Sequence, residues 1–233
     1  MMTREASLLL QIIHETHDYI VCLKPAGLLS ESHATRQNMV SSLTEQTGRT
    51  VWCVHRLDRD VGGVMVYACS REAAADLSRQ IASHRLEKEY LAIAHGELQG
   101  SGELTDLLFK DSRSGRVFVV ERQRKGVKQA QLTYRTEAFA QGLSLLRIRL
   151  MTGRSNQIRV QFASRHHPLV GDRKYGSSEK TPIALFSHKI AFCDPSTGNR
   201  VSFRSDPPAD YPWNIFFARK DAPATAAENG RTY

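Results

Sequence analysis

Residues 51–68 read VWCVHRLDRDVGGVMVYA, and this stretch decides both the fold and the chemistry of the chain. Two apolar runs with the composition of β-strands flank His-Arg-Leu-Asp-Arg-Asp and a Gly-Gly pair. A surface hairpin would need only the glycines. A carboxylate held between arginines, beside two runs that favour burial, therefore predicts a turn with a chemical role.

Asp58 is the candidate nucleophile or base in this turn. Arg56 and Arg59 flank it, and their positive charges would favour its ionised form. An ionised aspartate in a partly buried site can attack an electrophilic carbon. The alternative is a structural role, in which Asp58 pairs with one of the arginines and caps the turn. The local sequence alone leaves both readings open.

The composition is that of a globular chain with a basic surface. The 233 residues are 41% apolar and 24% charged, which is enough to build a sizeable core. No run approaches the roughly 18 apolar residues of a membrane span, and the N-terminus lacks a cleavage site for a signal peptide. We therefore expect a cytoplasmic protein. The net charge of +8 suits a polyanionic partner, with nucleic acid first in line.

The cysteines and histidines do not predict a metal site. The four cysteines form no C-x-x-C pair and are expected to be buried free thiols. His166 and His167 lie near Asp172 in the sequence, but a zinc site needs three or four converging ligands. No metal is expected.

The pattern of elements indicates an α+β protein. Strands are predicted at 19–23, 63–68 and in the β-rich middle, where Leu146, Ile148 and Leu150 alternate with two arginines. Those arginines face either solvent or an RNA groove. A short helix is predicted at 38–46. Two further helices are predicted, in SREAAADLSRQIASHRL and in NQIRVQFASR. The first would have Ser70 as its N-cap and Ala74, Leu77, Ile81 and Arg85 on one face. Late strands are predicted in IALFSHKIAF and RVSF.

HRLDRDVGGVMVYA resembles the catalytic motif of the RluA family of RNA pseudouridine synthases. Four further segments resemble motifs of that family in the same order, so that the resemblance runs from about residue 12 to residue 216. They are LKPAGLL (23–29), LEKEYLAIAHGEL (86–98), MTGRSNQIRVQFASRHHPLVGDRKYG (151–176) and ALFSHKIAFCDPSTG (184–198). Five motifs in order make a specific signal.

The resemblance implies a reaction and three catalytic residues. The family converts uridine in RNA to pseudouridine by breaking the N-glycosidic bond and forming a C–C bond, after the base has left its stack. The nucleophile would be Asp58, and the cation that holds it in place would be Arg159. The ring of Tyr90 would pack on the released uracil, and its hydroxyl would move a proton. No metal or organic cofactor is expected.

The resemblance also implies contacts with the substrate. Six residues are expected around the target uridine: Arg56, His55, Leu57, Lys24, Arg154 and Gln157. Arg56 would hold the RNA open where the base was, since a guanidinium stacks on bases and binds phosphate. Lys24 and Arg154 would contact a phosphate or their own loops, and a salt bridge within the turn is the alternative for Arg154. His55 would organise the turn by hydrogen bonding, with general base catalysis as the alternative.

Three positions, in two motifs, depart from the family pattern. Val61 and Gly62 stand where Thr and Ser are more frequent, which removes two hydroxyls near the active turn. Asn156 stands where His is common. Neither change touches a catalytic residue, so activity is expected to survive.

We therefore predict a cofactor-free RNA pseudouridine synthase that acts on rRNA or tRNA. Residues 1–217 would form a single catalytic domain, a pseudouridine synthase fold with a twisted, mainly antiparallel sheet, flanking helices and a central cleft. Residues 218–233 would be a disordered tail. No separate RNA-binding module is expected before the catalytic domain, and the protein is expected to be a monomer. The alternative is a catalytically inactive RNA-binding or RNA-folding protein on the same scaffold. A hydrolase with two carboxylates would need Asp60 as its second acid, and adjacent residues of a turn point in different directions.

Overall fold

The structure, a computed structural model, describes residues 9–217. The predicted tail at 218–233 lies outside these residues, and the domain boundary at 217 stays a prediction. In chain order the elements are β1 (Ile12–Glu15), β2 (Tyr19–Lys24), α1 (Met39–Thr47), β3 (Trp52–Cys53), β4 (Gly62–Ala68), α2 (Arg71–Ala82), β5 (Glu87–His95), β6 (Ser101–Lys110), β7 (Val117–Val120), β8 (Val127–Ala140), β9 (Leu143–Leu150), α3 (Gln157–Ala163), β10 (Leu185–Cys193) and β11 (Arg200–Arg204).

All described strands belong to one mixed sheet. Its order is β1-β2-β4-β10-β5-β9-β8-β6-β7, with β11 paired to β10 and β3 paired to β4. Within residues 9–217 the pairing of β4 with β10 is parallel and every other pairing is antiparallel. The predicted α+β class and the mainly antiparallel sheet are confirmed.

Apolar side chains on both faces of the sheet pack against helices. Along β2, Ile20 and Cys22 belong to one core, and Tyr19 and Val21 belong to another, as the alternation of a strand requires. Helix α1 packs on the first core and α2 on the second. Helix α3 contributes to the first core and also packs on β6 and β7. The three helices thus cover different parts of the sheet, and a cleft lies where the end of α2 and the start of α3 approach the turn before β4.

Helix α2 begins as the sequence predicts. The Ser70 side chain accepts a hydrogen bond from the backbone N–H of Ala73, which caps the first turn. Leu77 lies in the buried stripe as expected. Arg85 was wrongly placed on this face, because the helix ends at Ala82 and Arg85 is exposed in the following turn.

The arginine face of β9 faces solvent. Arg147 forms ion pairs with Glu89 and Glu137, and Arg149 pairs with Glu87. Ile148, between the two arginines, lies on the other face and pairs in register with a tyrosine of β5. Of the two readings, these contacts favour the solvated surface, because Tyr90, the partner of Ile148, lines the cleft on the other face.

Gly63 permits the parallel pairing of β4 with β10. Its φ is +126°, and a Cβ at this position would lie 2.4 Å from the backbone oxygen of Ser187. Only glycine fits such an approach of two backbones. Gly62 is less constrained, since its Cβ would lie 3.2 Å from the Lys24 oxygen.

The described residues contain no long apolar helix and no metal-binding cluster. No helix within 9–217 has the length and hydropathy needed to cross a membrane. No group of three or more His, Cys, Asp or Glu side chains converges there in a way that could hold a metal ion. The four cysteines are free; Cys22 is buried, and the other three are half-buried.

Candidate active site

The turn that carries Asp58 connects β3 to β4 and is held from below by Lys24. The Lys24 ammonium donates hydrogen bonds to the backbone oxygens of Pro25, Arg59 and Val61, at 2.8–2.9 Å. Burial lowers the pKa of Lys24 to about 8, although the negative charges of Asp60 and Asp58 oppose the shift. The three donors of the ammonium are used on its own loops, so the geometry favours the loop contact over the phosphate contact.

His55 and Ser30 fix the other side of the turn. Nε2 of His55 accepts a hydrogen bond from the backbone N–H of Val66, which requires the unprotonated form of that nitrogen. Burial and the charge of Lys88 lower the pKa of His55 to about 3, so the ring is neutral. The Ser30 hydroxyl accepts from the N–H of Leu57 and donates to its oxygen, both at 3.0 Å. His55 and the backbone of Leu57 therefore organise the turn.

Arg159 lies between two aspartates and is held mainly by the buried one. Its Nε and Nη2 each donate to Asp172 at 2.7 Å, whereas Nη1 lies 3.4 Å from Oδ2 of Asp58. The Asp172 side chain is fully buried, Arg159 is 8% exposed and Asp58 is 24% exposed. Burial tends to lower the pKa of Arg159, but the hydrogen bonds and charge of Asp172 and the charge of Asp58 raise it. The cation is therefore permanent and points at Asp58.

Asn156 and Tyr175 complete the surroundings of Arg159. Asn156 has a left-handed backbone with φ of +51°, a conformation that Asn tolerates better than most residues. Its Oδ1 accepts a 3.0 Å hydrogen bond from Nη1 of Arg159. The guanidinium also lies over the Tyr175 ring, 5.2 Å from its centroid. The departure at Asn156 thus leaves a polar acceptor for the arginine.

Tyr90 lies on β5 and faces Asp58 across the cleft floor. The side chain is buried, and it is the register partner of Ser187 on β10. Burial raises the pKa of the Tyr90 hydroxyl, and the negative charge of Asp58 raises it further. The hydroxyl is therefore protonated and can donate or relay a proton.

The two arginines that flank Asp58 in sequence bind other carboxylates. Arg56 pairs with Glu31 at 2.8 Å, and Arg59 pairs with Asp60 at 3.0 Å, both on the surface. The expectation that they keep Asp58 ionised is not supported by these contacts, because neighbours in a turn project in different directions. The nearby cation comes from Arg159, 101 residues away. A contact of Arg56 with RNA stays a prediction.

Arg154 lies in the turn before α3, and Gln157 is the first residue of that helix. The exposed Arg154 donates through Nε to the backbone oxygen of Gln129. Gln157 is buried; its Oε1 accepts from Thr152 and from the N–H of Arg154, and its Nε2 donates to the Gln131 oxygen. Gln157 therefore organises the turn before α3, and Arg154 is the member of this pair that faces solvent.

These side chains line one cleft of about 380 Å³, a size typical of small-molecule sites. Asp58, Tyr90 and Arg159 lie in its walls, as do all the expected substrate contacts except Lys24. Lys88, two residues before Tyr90, also lines the cleft. A second, more open groove meets the first at Asp58 and Arg159 and continues past Arg173 and Lys174.

The sequence interpretation missed Asp172, Tyr175 and Lys88. Asp172 and Tyr175 lie in the Gly-Asp…Tyr-Gly part of a quoted motif, which was the available signal for both. Lys88 lies in Lys-Glu-Tyr, in which the resemblance assigns a role to Tyr90 only. No signal in the sequence alone connects Asp172 with Arg159, because a loop and a helix bring them together.

A sheet with this central cleft, a carboxylate turn facing an arginine and a tyrosine, and a basic surface define a class of RNA-modifying isomerase. The RNA pseudouridylate synthase family model matches residues 18–164. The chain belongs to this family. It is an RNA pseudouridine synthase, an isomerase that acts on RNA.

The comparisons with individual proteins agree with this result. The chain is 28% identical to tRNA pseudouridine synthase C of Vibrio vulnificus (strain CMCP6), over 93% of this chain and 98% of the relative. It is 29% identical to ribosomal large subunit pseudouridine synthase D of Zymomonas mobilis, over 86% of this chain and 70% of the relative. The solved structure of human RNA pseudouridylate synthase domain containing 1 shares the fold, with a TM-score of 0.74, 20% identity, and coverage of 89% of this chain and 87% of that chain.

Proposed function

We propose that Asp58 is the nucleophile with which this enzyme isomerises a uridine in a folded RNA, and that Tyr90 and Arg159 assist it. The observation that carries the proposal is the convergence of these three side chains, from a turn, a strand and a helix, on one cleft. Nη1 of Arg159 lies 3.4 Å from Oδ2 of Asp58, so a buried cation stands beside the attacking carboxylate. An inactive RNA-binding protein would gain nothing from a carboxylate that faces its anionic ligand.

The reaction balances without any added reagent. The bond between N1 of uracil and C1′ of the ribose breaks, and a bond between C5 and C1′ forms. C5 then loses a proton, and N1 gains one. Asp58 attacks either the ribose or the uracil ring, and the bond that it forms to carbon breaks again before the product leaves, which regenerates the carboxylate. Tyr90 packs on the ring while it turns, and a protonated hydroxyl beside the ring can relay the proton.

The RNA would be recognised by the catalytic domain itself. Arg56 and Arg154 both line the cleft and have exposed side chains, which suit stacking and phosphate contacts. The net charge of +8 favours RNA through counterion release. We propose that the enzyme acts as a monomer in the cytoplasm.

Transfer RNA is the first substrate to test. The similarity to the tRNA pseudouridine synthase C of Vibrio vulnificus spans 98% of that protein. Ribosomal RNA is the second candidate, because a ribosomal large subunit synthase is similar over 86% of this chain.

The experiment is mass-based pseudouridine mapping of total RNA from cells with and without the protein. A pseudouridine that disappears, and returns with the wild type but not with Asp58→Asn, would support the reaction, the nucleophile and the substrate together. Asp60→Asn is the matched control, since Asp60 lies on the same turn and pairs with Arg59 on the surface. Restoration of the site by Asp58→Asn would contradict the nucleophile assignment.

A further inference from the structure

Lys88 is a charged residue in the cleft that the proposed chemistry does not use. It lies two positions before Tyr90 on β5, so both side chains project from the same face of the strand. The ammonium nitrogen lies 3.7 Å from the position that a Cβ on Gly153 would take, so it lies against the loop before α3. Its charge also reaches the ring of His55.

No group in residues 9–217 compensates the charge of Lys88. It forms none of the hydrogen bonds or ion pairs found in this part of the chain, in contrast to Lys24 and Arg159. Burial lowers the pKa of Lys88, and no carboxylate opposes this shift. A partly buried and unpaired ammonium costs free energy, so the protein without a ligand would be more stable with an apolar side chain here.

RNA brings the missing charge, because its anionic groups are the phosphates of its backbone. We propose that Lys88 contacts the phosphate next to the target uridine and thereby sets the depth at which that nucleotide enters the cleft. This inference rests on the proposed function. Lys88 lies about 7 Å along the strand from Tyr90, taking about 3.4 Å for each residue. A base that packs on Tyr90 therefore has its own sugar–phosphate within reach of the ammonium.

The test measures RNA binding in an Asp58→Asn background, so that the substrate is not converted. The probe is a synthetic stem-loop that carries the mapped uridine, made once with natural phosphates and twice with a neutral methylphosphonate on one or the other side of the uridine. Lys88→Met removes the charge and keeps the length of the side chain. Lys189→Met is the control, since Lys189 lies outside the cleft beside Glu89 and Arg147.

Lys88→Met is expected to weaken binding of the natural probe about 10-fold, as for the loss of one charge-assisted hydrogen bond. It should also lower the slope of log affinity against log salt by about 1. One of the two methylphosphonates should weaken binding to the parent protein by a similar factor, with no further effect on Lys88→Met. Lys88→Arg should recover most of the affinity, and Lys189→Met should leave it unchanged.

The melting temperature separates this role from a structural one. Lys88→Met should melt at a higher temperature than the parent while it binds RNA more weakly, whereas loss of a structural contact would lower both. Equal binding by parent and Lys88→Met would overturn the proposal, as would equal methylphosphonate penalties in the two proteins. Neither outcome would bear on the nucleophile, because wild-type turnover and its loss in Asp58→Asn are measured separately.

Discussion

Arg159 donates two hydrogen bonds of 2.7 Å to Asp172 and approaches Asp58 only to 3.4 Å. The fully buried carboxylate of Asp172 therefore fixes the position of the Arg159 guanidinium. The partly exposed carboxylate of Asp58 lies within reach of the positive charge of Arg159. In the proposed mechanism, Asp58 must leave its partner when it attacks carbon. Division of the two tasks between two aspartates would then let Asp58 move while Arg159 stays in place.

Asp172→Asn should damage both stability and turnover. It leaves Arg159 buried without its anion, and breaking such a pair costs about 3 kcal/mol of unfolding free energy or more. We expect kcat to fall about 100-fold, by analogy with displaced positioning groups, with little change in KM. Chemical denaturation and steady-state kinetics on the mapped RNA would measure the two effects.

The matched control is Asp106→Asn. Asp106 pairs with Arg165 and Gln161 at the far end of α3, away from the cleft. It should lower stability and leave kcat unchanged. If Asp172→Asn behaved in the same way, the positioning role of Asp172 would be wrong.

Lys24→Met should lower kcat without changing the salt dependence of binding. The substitution removes the donor that holds the oxygens of Pro25, Arg59 and Val61, and leaving such acceptors buried costs about 1–3 kcal/mol. Kinetics at several salt concentrations would separate the alternatives. A fall of about 1 in the salt slope would instead identify Lys24 as a phosphate contact.

Tyr90→Phe should separate the two duties assigned to this residue. It keeps the ring and removes the hydroxyl, so kcat should fall about 100-fold or more while RNA affinity is retained. Tyr90→Leu should lose affinity as well. Tyr134→Phe, a half-buried tyrosine that packs on Phe162, is the control and should retain activity. Normal kcat in Tyr90→Phe would leave no role for the hydroxyl.

His55 should make the fold sensitive to mild acid. The pKa of His55 is about 3 in the folded protein and 6.5 for an unperturbed histidine, so between these limits the unfolded chain binds a proton that the folded protein does not. Above pH 6.5 His55 is neutral in both states and does not lower the free energy of unfolding. As the pH falls from 6.5 toward 3, protonation of the unfolded chain lowers the free energy of unfolding. The full difference in pKa corresponds to about 5 kcal/mol of unfolding free energy.

The measurement is the free energy of unfolding from pH 7 downward for wild type and His55→Gln. Since carboxylates titrate in the same range, the informative quantity is the difference between the two curves, which should shrink as the pH falls. A constant difference between wild type and His55→Gln would exclude a neutral, buried His55.

Local patterns predicted the elements well where one face of an element is buried. The N-cap at Ser70 and the alternation around Ile148 were sufficient for α2 and β9. Strand β6 was missed, because residues 101–110 bury only Leu104 and Leu108 fully and so lack strict alternation. Strand β1 is four residues long and was also missed.

The site was predicted only in part, because its contacts are distant in sequence. The motifs identified Asp58, Tyr90 and Arg159, which line one cleft as expected. The charges next to Asp58 suggested the wrong ion pairs, since turn geometry directs Arg56 and Arg59 to other carboxylates. Side-chain direction in a turn depends on φ and ψ, which residue type alone does not determine.

The parallel pairing of Gly62 and Gly63 with Phe186 and Ser187 also has a consequence for the order of assembly. Closing a loop of more than a hundred residues costs chain entropy and slows folding. During synthesis, Gly62 and Gly63 can therefore pair with β10 only after that strand has left the ribosome. A nascent chain that ends before residue 185 carries Asp58, Tyr90 and Arg159 and still lacks the strand between two of them. The sheet around the cleft is therefore complete only after β10 has joined β4 and β5.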